Sequence, residues 1–408
     1  MVKKGYKQTE VGVIPEKWKD KKLGDVGKVC MCKRIFANQT SNTGEVPFFK
    51  IGTFGKEADA YISKGLYEDY KQRFSYPQKG DVLISAAGTL GRTIVFEGKD
   101  AYFQDSNIVW LATDKELLCN EYLYHYYKVI KWGASEGSTI ARLYNGIICN
   151  THIALPDVEE QKQIATVLSE IDELISLTEK QISKKKAIKQ GAMQELLTGK
   201  RRLPGFNGAW QVVKLEDICS KITDGSHESP PESDIGYYMP SVKDMRSTGF
   251  DYSECKKISY SDFKKLERNG CRPDAGDVLI AKDGSILKYA FVQEKAENIV
   301  ILSSIAIVTP HSDRVDSYFL AQYFRQQNFV EQVITSYKSG TGVPRIVLKR
   351  FKQIVLFIPE SVAEQAAIAK ILVDMDIEIT GLEKELAKYR QVKQGMMQQL
   401  LTGKIRLV

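Results

Sequence analysis

The stretch KQGAMQELLTGKRRL (Lys189–Leu203) returns near the end of the chain as KQGMMQQLLTGKIRL (Lys393–Leu407). Twelve of the 15 aligned residues are identical. Self-similarity at a fixed period indicates that one structural unit is built twice. The similarity between the two halves of the chain extends outward from these two copies.

The repeat covers most of the 408 residues. The strand-like GDVLI occurs at Gly80–Ile84 and at Gly276–Ile280, and GSTIAR (Gly137–Arg142) aligns with GTGVPR (Gly340–Arg345). Early in each half, Trp18, Leu23, Asp25 and Val26 correspond to Trp210, Leu215, Asp217 and Ile218. Similarity is high at the end of each half and low inside it. This predicts two diverged domains, residues 1–155 and 203–357, each followed by a long helix within residues 156–202 and 358–408.

The two long segments carry a heptad pattern. Apolar side chains recur in alternating steps of four and three, which predicts helices that bury one stripe against a partner helix. The predicted helix–helix interface consists of Ile164, Leu168, Ile171, Ile175, Ile182 and Leu196 in the first segment and Ile368, Leu372, Met375, Ile379, Leu382, Leu386 and Leu400 in the second.

Start and stop signals flank both patterns. Asp157 and Ser361 each precede a glutamate by three residues, which is the spacing of a capping box at a helix start. Gly199 and Gly403 follow the last seam leucine, where a left-handed backbone conformation commonly ends a helix. These signals predict two helices of similar length and position in the two halves.

Charge predicts how the helices pair. Residues 157–173 contain six acidic residues and one basic residue, whereas residues 180–202 contain eight basic residues and one acidic residue. The second segment repeats this trend. Antiparallel pairing places each acidic start against the basic end of the other helix, so the repeated stretch would lie there or against a docked subunit. The alternative is that each helix packs on its own domain or on another subunit.

Each domain mixes short apolar runs with helical patches. Residues 46–54, 81–86, 92–98 and 107–113 favour strands, and residues 120–133 favour an amphipathic helix. In the second half, GDVLIA, KYAFVQE and IVILSSIAIVTP favour strands and SYFLAQYFRQQNF favours a helix. The predicted fold class is α+β, with two similar domains and an antiparallel coiled coil of two long helices in an internal pseudo-twofold repeat.

Composition is typical of a globular protein, with 43% hydrophobic and 27% charged residues. The net charge of +7 permits a nucleic-acid partner without requiring one. The N-terminal residues lack the apolar core of a signal peptide, and no apolar run is long enough to span a membrane, so we expect a cytoplasmic location. The seven scattered cysteines are expected to be buried free thiols.

Catalytic and metal-binding motifs are missing from the sequence. The four histidines are dispersed, and no HExxH, GxSxG or paired metal-ligand spacing occurs. The two TGK tripeptides lack the glycine and the Ser/Thr of a phosphate-binding loop, and SPPE (Ser229–Glu232) lacks the aromatic residue that stacks on a flipped base. We therefore expect no catalysis and no metal.

Glycine-rich loops with basic and hydroxyl side chains separate the predicted strands, as in AAGTLGR and AKDGSILK. Such loops are able to follow a phosphate backbone and reach base edges, although solvated loops have a similar composition. Arg142 and Arg345 occupy the same position of the repeat. They are either DNA contacts or members of a salt bridge that fixes the loop to the helix.

These residues resemble the specificity (S) subunit of type I restriction–modification systems. The resemblance is carried by IPEKW…KLGDV (Ile14–Val26), LPGFNGAWQVVKLEDI (Leu203–Ile218), TDGSH (Thr223–His227), both GDVLI segments and the doubled helix-end motif. It covers essentially the whole chain. TDGSH has only a loose counterpart in the first half, at CKRIF, which leaves a shared role for that loop uncertain.

The resemblance implies a DNA-reading subunit without catalysis of its own. Two target-recognition domains would each bind one half of an asymmetric, bipartite site in double-stranded DNA, while the helices fix the spacing. Two modification (methyltransferase) subunits would dock on the helices and bind S-adenosylmethionine, and ATP-dependent restriction subunits would cleave. The chain itself would hold no cofactor. The alternatives are a coiled-coil scaffold that binds protein partners and a single-chain enzyme.

Within this reading, we expect DNA contacts from the loops of both domains. The candidates are Lys33, Arg34, Thr89, Arg92, Arg142 and Tyr144 in the first domain and Ser226, His227, Lys282, Lys288, Thr341 and Arg345 in the second. An arginine that reads a base confers preference at one position, whereas one that binds phosphate contributes to all sites alike.

Overall fold

The computed structural model of the chain describes residues 2–133, 142–338 and 344–407. The chain forms two compact units. Unit 1 contains Met1–Thr178 together with Glu385–Val408, and unit 2 contains Glu179–Lys384. Each unit therefore takes one part of each long helix, and the division falls inside the helices instead of at their ends.

Unit 1 contains eleven strands and three short helices among its described residues. The strands are β1 (Tyr6–Thr9), β2 (Gly12–Pro15), β3 (Lys19–Lys22), β4 (Gly27–Met31), β5 (Val46–Phe49), β6 (Tyr61–Ile62), β7 (Val82–Ser85), β8 (Thr93–Val95), β9 (Tyr102–Phe103), β10 (Ile108–Thr113) and β11 (His152–Leu155). The short helices are α1 (Lys64–Arg73), α2 (Asn120–Tyr127) and α3 (Asn145–Asn150), and the long helix α4 (Val158–Leu196) begins in this unit.

Unit 2 repeats the plan with fewer strands in its described part. The strands are β12 (Trp210–Lys214), β13 (Cys219–Asp224), β14 (Tyr237–Tyr238), β15 (Lys257–Ile258), β16 (Val278–Ala281), β17 (Ala290–Val292), β18 (Ile305–Pro310) and β19 (Val355–Pro359). The short helices are α5 (Tyr260–Arg268), α6 (Ser317–Tyr323), α7 (Gln327–Tyr337) and α8 (Leu348–Lys352), and the long helix α9 (Val362–Leu400) begins here.

A four-stranded antiparallel sheet lies at the centre of each unit. Its strand order is β4-β10-β7-β8 in unit 1 and β13-β18-β16-β17 in unit 2. Both repeats of GDVLI supply a central strand, β7 and β16, in which every residue is buried. Side chains alternate between the two faces of a strand, so such a continuous apolar run needs cover on both faces.

Both faces of each sheet are covered. In unit 1, Val82 and Ile84 pack towards α2 and the start of α4, whereas Leu83 packs in a second cluster with β5, β9 and α1. In unit 2, Val278 and Ile280 join the helical cluster, and Leu279 joins a separate cluster on the other face. The predicted α+β class and the repeat of two similar domains are thus confirmed.

Several predicted elements are shorter than their apolar runs. The strand expected within residues 299–310 is confined to β18, because Ile301 and Leu302 instead run beside Ser226, in the loop that follows β13. The helix expected over residues 317–329 divides into α6 and α7. Its break coincides with Gln326, whose side chain caps the start of α7.

The long helices pack antiparallel within each unit. In unit 1, Asp172 near the start of α4 pairs with Lys393 near the end of α9. In unit 2, Asp376 near the start of α9 lies 2.6 Å from the Nζ atom of Lys189 near the end of α4. Lys185 and Lys186 make further ion pairs to α9, with Glu378 and Glu383, both at 2.6 Å. The antiparallel arrangement predicted from charge is confirmed.

The predicted seam positions are mostly shielded from solvent. Ile164, Leu168, Ile182, Leu196, Ile368, Leu372, Ile379, Leu386 and Leu400 are buried, and Ile171, Ile175, Met375 and Leu382 are half-buried. Met193 and Leu196 pack with Ile368 and Leu372 in unit 2. Leu400 and Leu401 pack with Ile164 and Leu168 in unit 1.

The repeated helix-end stretch forms an end clamp in each unit. Gly199 and Gly403 end the helices with φ of 71° and 67°. In unit 2, the Arg202 guanidinium then donates to both carboxylate oxygens of the buried Glu364, at 2.6 and 2.8 Å. In unit 1, Arg406 makes the same bidentate pair with Glu160.

The end clamp corrects one detail of the predicted capping boxes. The Asp157 carboxylate accepts from the Glu160 amide at 2.9 Å, and the Ser361 hydroxyl accepts from the Glu364 amide at 3.3 Å. Both glutamate carboxylates, however, bind the arginine that follows the end of the other long helix, instead of the backbone of their own helix. The Glu160 carboxylate also accepts from the indole N–H of Trp18 at 2.9 Å.

The glutamine that follows each clamp glutamate joins helix to domain. The Gln161 side chain accepts from the Cys119 amide at 3.0 Å and donates to the carbonyls of Leu117 and Pro156. In unit 2, the Gln365 side chain accepts from the Asp316 amide at 2.9 Å and donates to two carbonyls in the same way. The start of each long helix is thereby fixed to the domain that precedes it.

Candidate nucleic-acid interface

The predicted contact residues of unit 1 gather at one edge of its central sheet. The edge is defined by the end of β4, the start of β10, the end of β7 and the start of β8, because Met31 pairs with Val109 and Ser85 pairs with Ile108. Three loops meet there, at residues 32–37, 86–92 and 104–107. The chain around Arg142 crosses the same edge, since Arg142 bridges Ala87.

Two arginines of this edge are held by a single turn. The Arg34 Nε donates to the Asp105 carboxylate at 2.8 Å. An Nη atom of Arg142 donates to the Asn107 side-chain oxygen at 2.7 Å and lies 3.5 Å from the Ser106 hydroxyl. Ser106 has φ of 54°, a left-handed conformation that is uncommon for residues other than glycine.

These groups line a cleft of about 410 Å³. Its lining includes both arginines, the exposed ring of Phe36, and the side chains of Lys50 and Gln104. Sequence reasoning missed the acceptors Asp105 and Asn107 and the cleft residues Lys50 and Gln104. A signal was present, since QDSN (Gln104–Asn107) interrupts two apolar strands with four polar residues.

The other predicted residues of unit 1 differ in their surroundings. Lys33 is exposed, with its Nζ atom 5.0 Å from the centroid of the Phe74 ring. Thr89 is exposed, and Arg92 donates to the Phe54 carbonyl at 2.9 Å. Tyr144 is exposed at the start of α3. All of these positions leave a polar or aromatic side chain at the surface.

Unit 2 presents the equivalent sheet edge through the TDGSH stretch. Gly225 permits a close approach of two backbones, because a Cβ atom there would lie 2.1 Å from the Ile301 carbonyl oxygen. The next amide, that of Ser226, donates to the same carbonyl at 2.7 Å. The Ser226 hydroxyl closes the turn by accepting from the Glu228 amide at 3.0 Å. His227, in contrast, is exposed and lies 3.5 Å from Asp224.

Two residues predicted as contacts in unit 2 are buried. Ser226 is 5% exposed and Lys282 is 4% exposed. The Lys282 Nζ atom lies 3.2 Å from the carboxylates of both Asp224 and Asp283. Burial of a lysine requires such pairing, and the pairing commits its charge to the protein. The structure therefore does not favour direct DNA contact by either side chain.

Two further candidates of unit 2, Lys288 and Arg345, lie at the same edge. Lys288 is exposed, with its Nζ atom 5.2 Å from the centroid of the Tyr289 ring. Arg345 is exposed and bridges Asp283 in the same manner as Arg142 bridges Ala87. Thr341 lies outside the described residues. The equivalence of Arg142 and Arg345, proposed from the repeat, therefore extends to their backbone position.

Two further features of the side chains in the described residues concern metal binding and thiol reactivity. In the described ranges, no group of three or more His, Cys, Asp or Glu side chains is arranged to hold a metal ion. Burial raises the pKa of the Cys32 thiol to about 12, so this neighbour of the cleft is not a nucleophile at neutral pH. Among the helices of the described residues, none is long and apolar enough to cross a membrane.

Comparison with known proteins gives concordant results. A family model described as the type I restriction modification DNA specificity domain matches residues 15–186 and 207–393. The putative MjaX specificity subunit of Methanocaldococcus jannaschii is 26% identical over 428 residues, covering 98% of this chain and 97% of that protein. A putative type I restriction enzyme specificity subunit of Haemophilus influenzae is 56% identical over 158 residues, which is 38% of this chain and 41% of that protein.

The fold has a solved counterpart. The crystal structure of a type I restriction–modification S subunit from M. genitalium superposes with a TM-score of 0.63 at 14% identity. The superposition covers 94% of this chain and 96% of that one. At this level of identity the likeness concerns the fold alone, and it extends over both units.

Proposed function

Because the chain belongs to the family of type I restriction–modification DNA specificity proteins, we propose that it is the DNA-recognition subunit of a type I complex. Each domain reads one half of an asymmetric, bipartite site in double-stranded DNA. The two long helices set the spacing and dock two methyltransferase subunits, and ATP-dependent restriction subunits complete the complex. The chain is non-catalytic and cytoplasmic, and S-adenosylmethionine and ATP bind to the partner subunits.

The observation that carries the proposal is the pair of equivalent sheet edges. Both edges are built from the same strands of the repeat, and both display exposed cationic side chains such as Arg34 and Lys288. The side chains at equivalent loops differ, since Arg34 follows β4 whereas Ser226 and His227 follow β13. One scaffold with two sets of contacts supports two different half-sites.

The proposal is tested by binding duplex DNA to the full chain reconstituted with its methyltransferase subunits. We expect sequence-specific binding that weakens steeply as salt is raised, because phosphate contacts release counterions. Arg142→Ala and Lys288→Ala are each expected to affect recognition of a different half of the site. If the reconstituted complex has no sequence preference, the proposal is wrong and the scaffold alternative takes its place.

A matched control separates local contacts from net charge. Lys99→Ala removes one exposed cation from unit 1, but Lys99 follows the other end of β8 and pairs with Glu97. This variant is expected to retain both the affinity and the preference of the wild-type chain. An equal loss in the Lys99 and Arg142 variants would mean that only total charge matters.

A further inference from the structure

The turn at Asp105–Asn107 positions two guanidinium groups in one cleft. Arg34 uses one N–H on Asp105, and Arg142 uses one Nη on Asn107 and Ser106. An arginine carries five N–H donors, so at least three on each side chain have no partner among the described residues. The Arg34 side chain is 61% exposed despite its ion pair. The cleft thus offers two oriented donor groups whose capacity is mostly unused.

The turn itself is rigidly held. The Asn107 carbonyl accepts from the Ala86 amide at 2.7 Å, and the Ile108 amide donates to the Gln104 carbonyl at 3.1 Å. Between them Ser106 keeps its left-handed backbone conformation. A non-glycine residue in that region is strained, and such conformations cluster at binding sites. The acceptors that orient the two arginines, Asp105 and Asn107, are therefore already in place in the absence of a ligand.

The chemistry of the cleft favours a base edge over a phosphate. The Asp105 carboxylate lies 2.8 Å from Arg34 and offsets part of the positive charge of the cleft, which also includes Arg142 and Lys50. This carboxylate is a hydrogen-bond acceptor to which a phosphate offers no donor, whereas a base pair presents donors beside acceptors. A G·C pair carries no net charge in the major groove. Guanine offers the O6 and N7 acceptors that arginine binds in a bidentate manner, and cytosine offers an amino donor that Asp105 or Asn107 is able to accept.

The described residues of unit 2 do not repeat this arrangement. The residues that precede β18, at the position of Ser106 and Asn107, are Ser303 and Ser304. The buried cation there, Lys282, is already paired with two carboxylates. The two-arginine cleft is therefore a property of the first domain and not of the repeat.

We propose that Arg34 and Arg142, positioned by Asp105 and Asn107, form a guanine-reading cleft, so that the half-site of the first domain contains a G·C pair contacted in the major groove. This inference rests on the proposed function and names the base that one domain reads. Lysine is a weaker reader at either position, because it lacks the planar fork of donors that Asp105 and Asn107 hold in place.

The test selects bound sequences from a random duplex library with the full chain and its methyltransferase subunits. The wild type is compared with Arg34→Lys, Arg142→Lys and Asp105→Asn. We expect each arginine variant to lose preference for guanine at one position of one half-site, by about tenfold or more. The other half-site should be unchanged, which shows that the variant chain is folded and assembled.

Arg246→Lys is the matched control. The Arg246 guanidinium is exposed and pairs with Asp251 at 2.8 Å, the same distance as in the Arg34–Asp105 pair, but it belongs to the second domain. In the half-site of the first domain, the selected sequence should match that of the wild type. As a chemical probe, 7-deazaguanine at the assigned position removes the N7 acceptor and should weaken wild-type binding much more than binding by the matching lysine variant.

Two results would overturn the inference while leaving the proposed function intact. One is a wild-type selection with two defined half-sites in which the arginine variants change no guanine. The other is equal weakening of wild type and variants by 7-deazaguanine. A wild-type complex that selects no sequence at all would instead refute the proposed function on which the inference rests.

Discussion

In unit 1, Asp172 lies between Lys128, which follows the last residue of α2, and Lys393 of α9. In unit 2, Asp376 lies between Arg325, two residues after α6, and Lys189 of α4. The two clusters occupy equivalent places in the repeat. Each joins a short helix of the domain to both long helices through one carboxylate and two cations. We call them the first and the second charge cluster.

The clusters differ in burial. In the second, the side chain of Lys189 is 7% exposed and that of Arg325 is 18% exposed, whereas Lys128 and Lys393 of the first are 25% and 19% exposed. The Asp376 carboxylate also accepts a hydrogen bond from the side-chain amide of Gln322 at 2.7 Å. The first cluster has a buried histidine, His125, in the place of Gln322. Both units therefore keep the ion pairs that join a short helix to the two long helices, but the burial of these ion pairs differs.

Burial and the neighbouring charges together set the protonation of the second cluster. It opposes ionisation of Asp376, but Arg325 and Lys189 outweigh it and lower the pKa of this carboxyl. For Lys189, burial and the neighbouring Arg325 lower the pKa to about 8 in spite of Asp376. A cation held this far from water depends on its carboxylate, so the second cluster should be the more sensitive to loss of its acid.

The largest expected effect is that of Asp376→Ala. The change leaves Lys189 and Arg325 without their counter-charge, which typically costs about 3–5 kcal/mol for a buried pair. Hydrogen exchange measured by mass spectrometry on the full chain should show a loss of protection in α6 and in the adjoining part of α9.

Asp172→Ala is the matched variant. Its two lysines are more exposed and can turn towards solvent, so the loss of protection in α2 should be smaller, about 1–2 kcal/mol. Adding Lys189→Met to Asp376→Ala should restore part of the stability, because one unpaired charge is removed. Equal losses in the two aspartate variants would show that burial does not distinguish the clusters.

The histidine makes the first cluster sensitive to acid. Burial, with Lys128 beside it, lowers the pKa of His125 to about 4, although Asp172 acts in the opposite sense. Its Nε2 lies 3.0 Å from the Ser169 hydroxyl. Between pH 6.5 and 4 the unfolded chain binds a proton that the folded chain does not, so stability is lost as pH falls through this window.

From this shift we expect the free energy of unfolding of unit 1 to fall by about 2 kcal/mol between about pH 7 and about pH 5, because His125 becomes protonated only in the unfolded chain. The variant His125→Gln, which copies the residue of the second cluster, should remove that loss. Protection of α2, corrected for the intrinsic exchange rate at each pH, is the readout. Gln322→His should transfer the acid sensitivity to α6, and a wild-type chain with the same protection of α2 at both pH values would contradict the assignment.

The sequence predicts the pairing of the long helices and the central strands of both sheets. The heptad seam and the opposed charge gradients suffice for the antiparallel helices, because both depend on residue type and spacing alone. Both GDVLI runs become central strands for the same reason. The role of the repeated helix end was also predictable in part, since Arg202 and Arg406 bind the acidic starts that the charge pattern indicated.

The contact residues were less predictable, because exposure depends on partners distant in sequence. Lys282 has the sequence context of a surface lysine, but Asp224, 58 residues earlier in the chain, pairs with it in the interior. Arg34 and Arg142 are predictable as loop cations, whereas the turn that orients them is 71 and 35 residues away from them, respectively. Such pairings depend on which strands are neighbours and on their register, and a continuous apolar run such as β7 has no alternation that would fix its register.

The smallest expected effect distinguishes the two glycines of the repeated stretch. Both have positive φ, so alanine is strained at either, by about 1 kcal/mol. A Cβ at Gly403 would also lie 2.4 Å from the Cδ of Pro15, whereas at Gly199 the nearest atom, in Trp210, is 3.3 Å away. Gly403→Ala should therefore cost about 2 kcal/mol and Gly199→Ala about 1 kcal/mol, measured as lost protection at the end of each helix.

Gly395→Ala provides a control of opposite sign. Gly395 lies inside α9, and a Cβ atom added there would meet no neighbouring residue within 4 Å, so alanine should stabilise the helix by about 0.5–1 kcal/mol. If Gly403→Ala and Gly199→Ala lost equal protection, the contact with Pro15 would contribute nothing. The two end clamps would still differ in the hydrogen bond that Trp18 donates to Glu160, for which the indole of Trp210 has no counterpart among the described residues.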